Sequence, residues 1–213
     1  MAYFPVSLEL AGRQAAVIGG GRVAERRVKR LINAGAVTTV ISPVATDYIK
    51  RCHEERKLTW KKKKFHPEDL EGAFIVMAAT DDCGINQKVL EACAPDQLVN
   101  LADDPLNSLI TIPSTLERGK LSISVHTSAA SPGLSKKIVR ELEQRYDSSY
   151  EEYVEFLFQA RGRVRQEVGN TEKREDILFR LLGDEFLDWT RNRQFEKREQ
   201  KLNDLIERSF CHE

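Results

Sequence analysis

A run of three glycines, Gly19-Gly20-Gly21, is the feature that most limits how this chain can fold. It directly follows the apolar run Ala15–Ile18, whose composition favours a buried strand. It is followed by Val23–Ile32, where apolar residues recur at helical spacing and Arg and Lys occupy the other face. The pattern therefore predicts a strand, a tight turn and a helix in immediate succession, as at the start of a doubly wound α/β sheet.

The spacing of this turn matches the dinucleotide-binding pattern G-x-G-x-x-G/A. In that pattern Gly19 permits the tight turn, Gly21 lets the backbone approach a pyrophosphate, and the small Ala24 permits close packing of helix on strand. Arg22 and Val23 open the helix, whose N-terminal N–H groups attract phosphate. We therefore predict a dinucleotide site that includes Gly19, Gly21, Arg22 and Val23. The alternative is a glycine turn that binds no ligand.

The rest of the first half alternates short apolar runs with amphipathic stretches. Helices are predicted from Ala45 to Arg56 and from Ile85 to Ala94. Four further strands are predicted at Val37–Ile41, Leu58–Trp60, Phe74–Ala79 and Leu98–Leu101. Strand–helix alternation implies right-handed crossovers and a parallel sheet covered on both faces. The predicted fold class is α/β, with a Rossmann-like parallel sheet.

The pattern changes after Pro105. Strands are predicted at Leu109–Ile112 and Leu121–Val125, followed by a helix from Pro132 to about Arg145. From Ser148 onward the chain is highly charged, and its apolar residues recur at helical spacing, with candidate breaks at Gly169-Asn170 and Gly183-Asp184. We predict three domains: a Rossmann domain over residues 1–113, a small α+β region over 114–147 and an all-helical domain over 148–213.

Composition narrows the possible functions. The formal net charge is zero, whereas nucleic-acid-binding domains usually carry a basic excess, so no nucleic-acid partner is predicted. The chain has four cysteines: Cys52, Cys83, Cys93 and Cys211. They lack CxxC or zinc-ligand spacing, which predicts no metal site. Scattered thiols also fit a reducing cytosol. The first residues lack a signal-peptide pattern, and no apolar run approaches the roughly 18 residues that span a bilayer. We therefore predict a cytoplasmic chain with no membrane partner.

The residues after the second predicted strand bear on the choice of cofactor. An Asp or Glu that binds the adenosine ribose usually follows that strand, but this chain has none there. Ser42 could hydrogen-bond a ribose hydroxyl, whereas Arg22 and Arg26 are the nearest basic residues for a 2′-phosphate. We predict NAD as the cofactor, with Ser42, Pro43 and Val44 on this side of its site.

Two polar residues follow the predicted strand Phe74–Ala79. Because ligands gather at the carboxyl ends of parallel strands, we predict that Thr80 and Asp81 contact the cofactor. The alternative is that Asp81 or Asp82 caps the helix that follows.

Four segments of the chain form a combination that is more specific than any single motif: Ala16–Arg27, Ala78–Asp82 with Asn86, Val99–Asp103 and the small-residue loop Ser128–Pro132. Together they resemble precorrin-2 dehydrogenases. The resemblance implies a Rossmann domain, a central region that forms a homodimer, and a helical C-terminal domain. It also implies oxidation of precorrin-2 to sirohydrochlorin, a step in sirohaem biosynthesis, with NAD as the oxidant.

The resemblance also implies roles for single residues. The essential aspartate of the family corresponds to Asp103, which directly follows a predicted strand. A carboxylate there could take the proton that dehydrogenation releases, although the neighbouring Asp104 is an alternative and such a run also suits a turn. Thr127 corresponds to a family serine that faces the tetrapyrrole, and Ser128 and His126 lie beside it in the predicted substrate site.

Two other functions remain open at the level of sequence. The first is a bifunctional enzyme that also inserts Fe²⁺ into sirohydrochlorin, as some members of the family do. The second is a non-catalytic protein that senses NAD through its Rossmann half and binds a protein partner through its charged helices. The dehydrogenase and the bifunctional enzyme both predict turnover that depends on Asp103, whereas the non-catalytic sensor predicts no turnover.

Overall fold

The computed structural model describes residues 3–210, so Cys211 lies outside the described part. The chain divides into two compact units, one up to Ile112 and one from Pro113. The strands of the first unit are β1 (Gln14–Ile18), β2 (Val37–Ile41), β3 (Thr59–Lys61), β4 (Ile75–Ala78) and β5 (Leu98–Leu101). Its helices are α1 (Arg22–Asn33), α2 (Asp47–Glu54) and α3 (Cys83–Ala92), with a short 3-10 helix at Pro67–Leu70.

The five strands form one parallel sheet in the order β3-β2-β1-β4-β5. The register aligns the carboxyl ends: Ile18 of β1 lies opposite both Ile41 of β2 and Ala78 of β4, and Ala78 lies opposite Leu101 of β5. The turns that follow these four strands therefore meet along one edge of the sheet. Strand order reverses beside β1, which is where ligands bind in doubly wound sheets. The predicted Rossmann-like class is confirmed.

Apolar side chains cover both faces of this sheet, as expected for parallel strands buried on two sides. On one face Val17 and Met77 pack in a cluster with Val28 of α1 and Ile49 of α2. On the other face a second cluster joins the strands to α3; its members include Ile18, Val76, Val89, Val99 and Leu101. The sheet and its helices therefore form a rigid support for the turns at its carboxyl edge.

The predicted strand at Leu109–Ile112 is wrong. Ile110 and Ile112 pack against the first core cluster, and the Ile110 N–H donates to the Val99 carbonyl at 3.1 Å. The Ile110 carbonyl accepts instead from the side-chain amide of Asn100 at 2.9 Å. Because a side chain takes this carbonyl, the segment does not extend the sheet, and its apolar pattern reflects burial alone.

Within the described residues, the second unit combines a two-stranded sheet with five helices. The antiparallel strands are β6 (Ser114–Arg118) and β7 (Leu121–Val125). β7 was predicted, whereas β6 lies between the strands predicted at Leu109–Ile112 and Leu121–Val125. The helices are α4 (Pro132–Arg145), α5 (Ser149–Glu167), α6 (Thr171–Arg180), α7 (Asp184–Arg191) and α8 (Phe195–Phe210). The breaks predicted near Gly169 and Gly183 are confirmed, since Asn170 caps α6 and Gly183 precedes α7.

The last four helices share one apolar core. Phe156 of α5 stacks on Phe186 of α7 with 5.9 Å between ring centroids, and Leu181 and Leu202 are buried beside them. Within residues 3–210, no helix is both long and apolar enough to cross a membrane. The division of this unit into a region over 114–147 and a domain over 148–213 stays a prediction.

Candidate functional site

The first two glycines of the turn are required by packing. Gly19 has a φ of 116°, and a Cβ there would overlap the backbone carbonyl of Ala79, which follows β4. A Cβ on Gly20 would overlap the carbonyl of Val44 in the loop after β2, and Gly20 accepts from the Thr46 N–H at 3.0 Å. These two glycines therefore let the turn pack directly on the loops that follow the neighbouring strands.

Gly21 is different, because nothing in the described chain requires it to be glycine. A Cβ there would meet no atom within 4 Å, and its φ of −82° suits any residue. It precedes α1 and has no side chain to cap the helix, so the first-turn N–H groups need another acceptor. Space for a close approach and unsatisfied N–H groups together fit a pyrophosphate.

The loop after β2 is held by Ser42. Its hydroxyl donates to the Val44 carbonyl at 2.7 Å, and its own carbonyl accepts from the Trp60 indole at 2.9 Å. Because the hydroxyl proton is engaged, the Ser42 oxygen can accept from a ribose hydroxyl but has no proton left to donate to a phosphate. Pro43 and Val44 are exposed beside it, and they offer an apolar surface next to the glycine turn.

The loop after β4 is fixed by a buried amide. Asn86 of α3 accepts from the Thr80 hydroxyl at 2.8 Å and donates to the Thr80 carbonyl at 3.1 Å. Asp82 caps α3 by accepting from the N–H groups of Gly84 and Ile85 at 2.9 and 3.1 Å. Asp82 is thus the capping residue, and Asp81 stays exposed. A contact of Thr80 or Asp81 with the cofactor remains a prediction.

The two aspartates after β5 have different environments. The Asp104 carboxylate accepts from the N–H groups of Leu106 and Asn107, both at 3.2 Å, and from the Asn107 side chain at 2.6 Å. The Asn107 side-chain amide is the main reason that the pKa of Asp104 is lowered. Asp103 is exposed instead. Asp104 therefore stabilises the turn, whereas the Asp103 carboxylate is open to a ligand.

Sequence reasoning missed two neighbours of Asp103. Cys83, the first residue of α3, is exposed, and a hydrogen bond with the Asp103 carboxylate raises the pKa of its thiol. Its place at the start of the helix after β4 could have indicated this, because β4 and β5 are adjacent. Ser108 is buried below the same turn, and no pattern in the sequence distinguishes it.

The predicted substrate residues lie in the second unit, in the turn between β7 and α4. The Thr127 hydroxyl lies 3.1 Å from both the Ser131 carbonyl and the Ser135 hydroxyl, so it stabilises the turn. His126 accepts from the Ser128 N–H at 3.3 Å. The structure therefore brings Thr127, Ser128 and His126 together, and it places Asp103 and the cofactor residues in the other unit.

This turn is conformationally strained. Ser128 and Ala129 have φ values of 49° and 64°, and the Ala130 N–H donates to the Thr127 carbonyl at 2.8 Å. Two consecutive positive φ values closed by this bond define a type I′ turn, which favours Asn and Gly. Backbone strain of this kind persists mostly in functional segments.

Replacing Ala129 with Gly is expected to raise the free energy of unfolding by about 1 kcal/mol, because glycine adopts a positive φ without strain. Ala130→Gly is the control, since Ala130 is not among the residues with positive φ, and it should lower stability by about 0.5–1 kcal/mol. Urea unfolding measures both. Equal losses of unfolding free energy in the two variants would contradict backbone strain at Ala129.

Among residues 3–210, no group of three or more His, Cys, Asp or Glu side chains is arranged to hold a metal ion. The residues at the carboxyl edge of the sheet combine a glycine turn that has room for a pyrophosphate with the exposed carboxylate of Asp103. That combination suits the removal of a hydride and a proton from a bound substrate.

Comparison with known proteins agrees with this arrangement. Residues 6–114 match a family model described as NAD(P)-binding. A precorrin-2 dehydrogenase of Priestia megaterium is 34% identical over 90% of this chain and 96% of its own length. A precorrin-2 dehydrogenase of Bacillus subtilis (strain 168) is also 34% identical, over 74% of this chain and 97% of its own. The solved structure of SirC, a precorrin-2 dehydrogenase, has a TM-score of 0.82 and 32% identity, and the match covers 97% of this chain and 100% of that one.

Proposed function

Because the chain belongs to the precorrin-2 dehydrogenase family, we propose that it oxidises precorrin-2 to sirohydrochlorin in sirohaem biosynthesis, with NAD as the hydride acceptor. The observation that carries the proposal is the open Asp103 carboxylate, which follows β5 at the same sheet edge as the glycine turn. β1 and β5 are two strands apart, so the ends of these strands are separated by roughly 10 Å. A dinucleotide whose pyrophosphate lies at Gly21 can place its nicotinamide at such a distance, near the end of β5.

The residues of the first unit bind the cofactor and accept the proton. Gly19, Gly21, Arg22 and Val23 hold the pyrophosphate at the start of α1. Ser42, Pro43 and Val44 contact the adenosine, where the Ser42 oxygen replaces the missing acid as acceptor for a ribose hydroxyl. Thr80 and Asp81 line the cofactor at the end of β4. Asp103 accepts the proton that leaves the substrate as the hydride is transferred.

The second unit supplies Thr127, Ser128 and His126 for the tetrapyrrole. The strained turn directly precedes α4, and the partial positive charge at the start of that helix favours a carboxylate-rich ligand. Lys136 and Arg140 lie one turn apart on the exposed side of α4 and add positive charge for the same ligand.

We also propose that the protein is a cytoplasmic homodimer whose central region, residues 114–147, forms the interface. A two-stranded sheet is only marginally stable alone, and both edges of β6–β7 carry backbone groups that a second copy could pair. Sedimentation of the purified protein tests the oligomeric state.

The function is tested by mixing the purified protein with precorrin-2 and NAD under anaerobic conditions and following NADH absorbance. We expect one NADH for each sirohydrochlorin formed, and no reaction when NAD is omitted. A protein that binds NAD but forms no NADH would instead be the non-catalytic sensor.

A further inference from the structure

We propose that Ser108 is a positioning residue for the dehydrogenation, because its buried hydroxyl fixes the backbone turn that carries Asp103. This inference rests on the proposed function of Asp103 as the proton acceptor. Ser108 is buried and acts on Asp103 only through the backbone.

The Ser108 hydroxyl connects the backbone on the two sides of Asp103. The hydroxyl oxygen accepts from the Leu101 N–H at 2.8 Å, and the hydroxyl O–H donates to the Asp104 carbonyl at 2.9 Å. Ser108 is only 8% exposed, so water cannot readily replace these bonds. One hydroxyl therefore sets the distance between the last residue of β5 and the residue that follows Asp103.

The side chain of Asp103 gains little support of its own. It is exposed, and its carboxylate forms a hydrogen bond with the thiol of Cys83. The backbone around it, by contrast, is held by Ser108, by the Asp104 carboxylate and by the Asn100 amide, which donates to the Ile110 carbonyl at 2.9 Å. The position of the Asp103 carboxylate is thus set by the turn, and a displacement of about 1 Å can reduce turnover about a hundredfold.

A purely structural role for Ser108 is the competing explanation. It predicts that loss of the hydroxyl weakens the fold without changing where Asp103 lies. Thr38 provides a matched control, because it is 2% exposed and its hydroxyl donates to the Ala36 carbonyl at 3.2 Å, at the amino end of the same sheet. Thr38→Val removes a comparable bond at the edge opposite to the proposed site.

The pKa of the Cys83 thiol depends on the position of the Asp103 carboxylate, and it can be measured without turnover. This pKa is raised mainly by the Asp103 carboxylate, and the Asp82 carboxylate adds a smaller increase. The pH dependence of Cys83 alkylation by iodoacetamide, followed by mass spectrometry of its peptide, measures this pKa. Asp103→Asn, which removes the carboxylate charge, defines the lower limit. In Ser108→Ala the midpoint should move down towards that limit, whereas in Thr38→Val it should stay at the parent value.

Kinetics provide the second readout. Ser108→Ala is expected to lower kcat about tenfold while the Kd for NAD stays within twofold of the parent value, and Thr38→Val should change neither. If Ser108→Ala does not fold, Ser108→Cys takes its place, since a thiol has nearly the same shape and bonds more weakly. A parent-like alkylation midpoint in the Ser108 variant overturns the positioning role. Absence of NADH formation by the parent protein overturns the proposed function instead, and the alkylation result then still decides whether Ser108 positions Asp103.

Discussion

Substituting Asp103 with Asn is expected to lower kcat for NADH formation by about 10²–10⁴-fold while leaving the affinity for NAD unchanged. Asparagine keeps the size of the side chain but cannot accept the proton that leaves precorrin-2. The residue is exposed, and its substitution weakens only its bond with the exposed Cys83 thiol, so the fold should be retained. Single-turnover formation of NADH measures the rate, and titration calorimetry with NAD measures the binding.

Asp104→Asn is the matched control for this prediction. The Asp104 carboxylate accepts from Leu106 and from Asn107, so its loss should lower the urea midpoint of unfolding. The pKa of Asp104 is lowered in the folded state. The ionised carboxylate therefore stabilises the fold above the unfolded-state pKa, and this contribution is lost as the pH falls through the folded-state pKa. Turnover should remain within a few-fold of the parent rate. If Asp104→Asn abolished turnover and Asp103→Asn did not, Asp104 would be the proton acceptor.

The sequence was sufficient to predict the parallel sheet, because four of its five strands, β1, β2, β4 and β5, are rich in apolar residues. It was misleading at Leu109–Ile112, where Ile110 and Ile112 are apolar because they cover the core. Whether such a segment joins a sheet depends on where its carbonyls bond, and here Asn100 takes the Ile110 carbonyl. That contact is set by tertiary structure, and no local pattern encodes it.

The same limit applies to the site. The glycine spacing and the predicted strand ends placed the glycines, Asp103 and Asp104 at the carboxyl edge of the sheet, but the local pattern could not distinguish the two aspartates. The distinction comes from hydrogen bonds that only the folded turn forms, between the Asp104 carboxylate and Asn107. Cys83 was missed because its contact with Asp103 depends on β4 and β5 being neighbours. Ser108 was missed because its bonds to Leu101 and Asp104 form only in the folded turn.

The three consecutive glycines differ in what they contribute, and this can be measured one residue at a time. Gly20→Ala is expected to lower the free energy of unfolding by about 1–3 kcal/mol, because the added methyl group overlaps the Val44 carbonyl and backbone atoms cannot move aside cheaply. Gly19→Ala should be at least as damaging, since its methyl group overlaps the Ala79 carbonyl and its φ is positive.

Gly21→Ala should behave in the opposite way. No atom lies within 4 Å of the added methyl group, so stability should change by about 1 kcal/mol or less. The affinity for NAD should fall at least about tenfold, because the methyl group enters the space where a pyrophosphate approaches the backbone. Urea unfolding and calorimetric titration with NAD separate the two effects. A Gly21→Ala protein that binds NAD as tightly as the parent would show that the pyrophosphate does not contact this residue. Loss of binding at full stability would mean that the ligand, and not the fold, requires the third glycine.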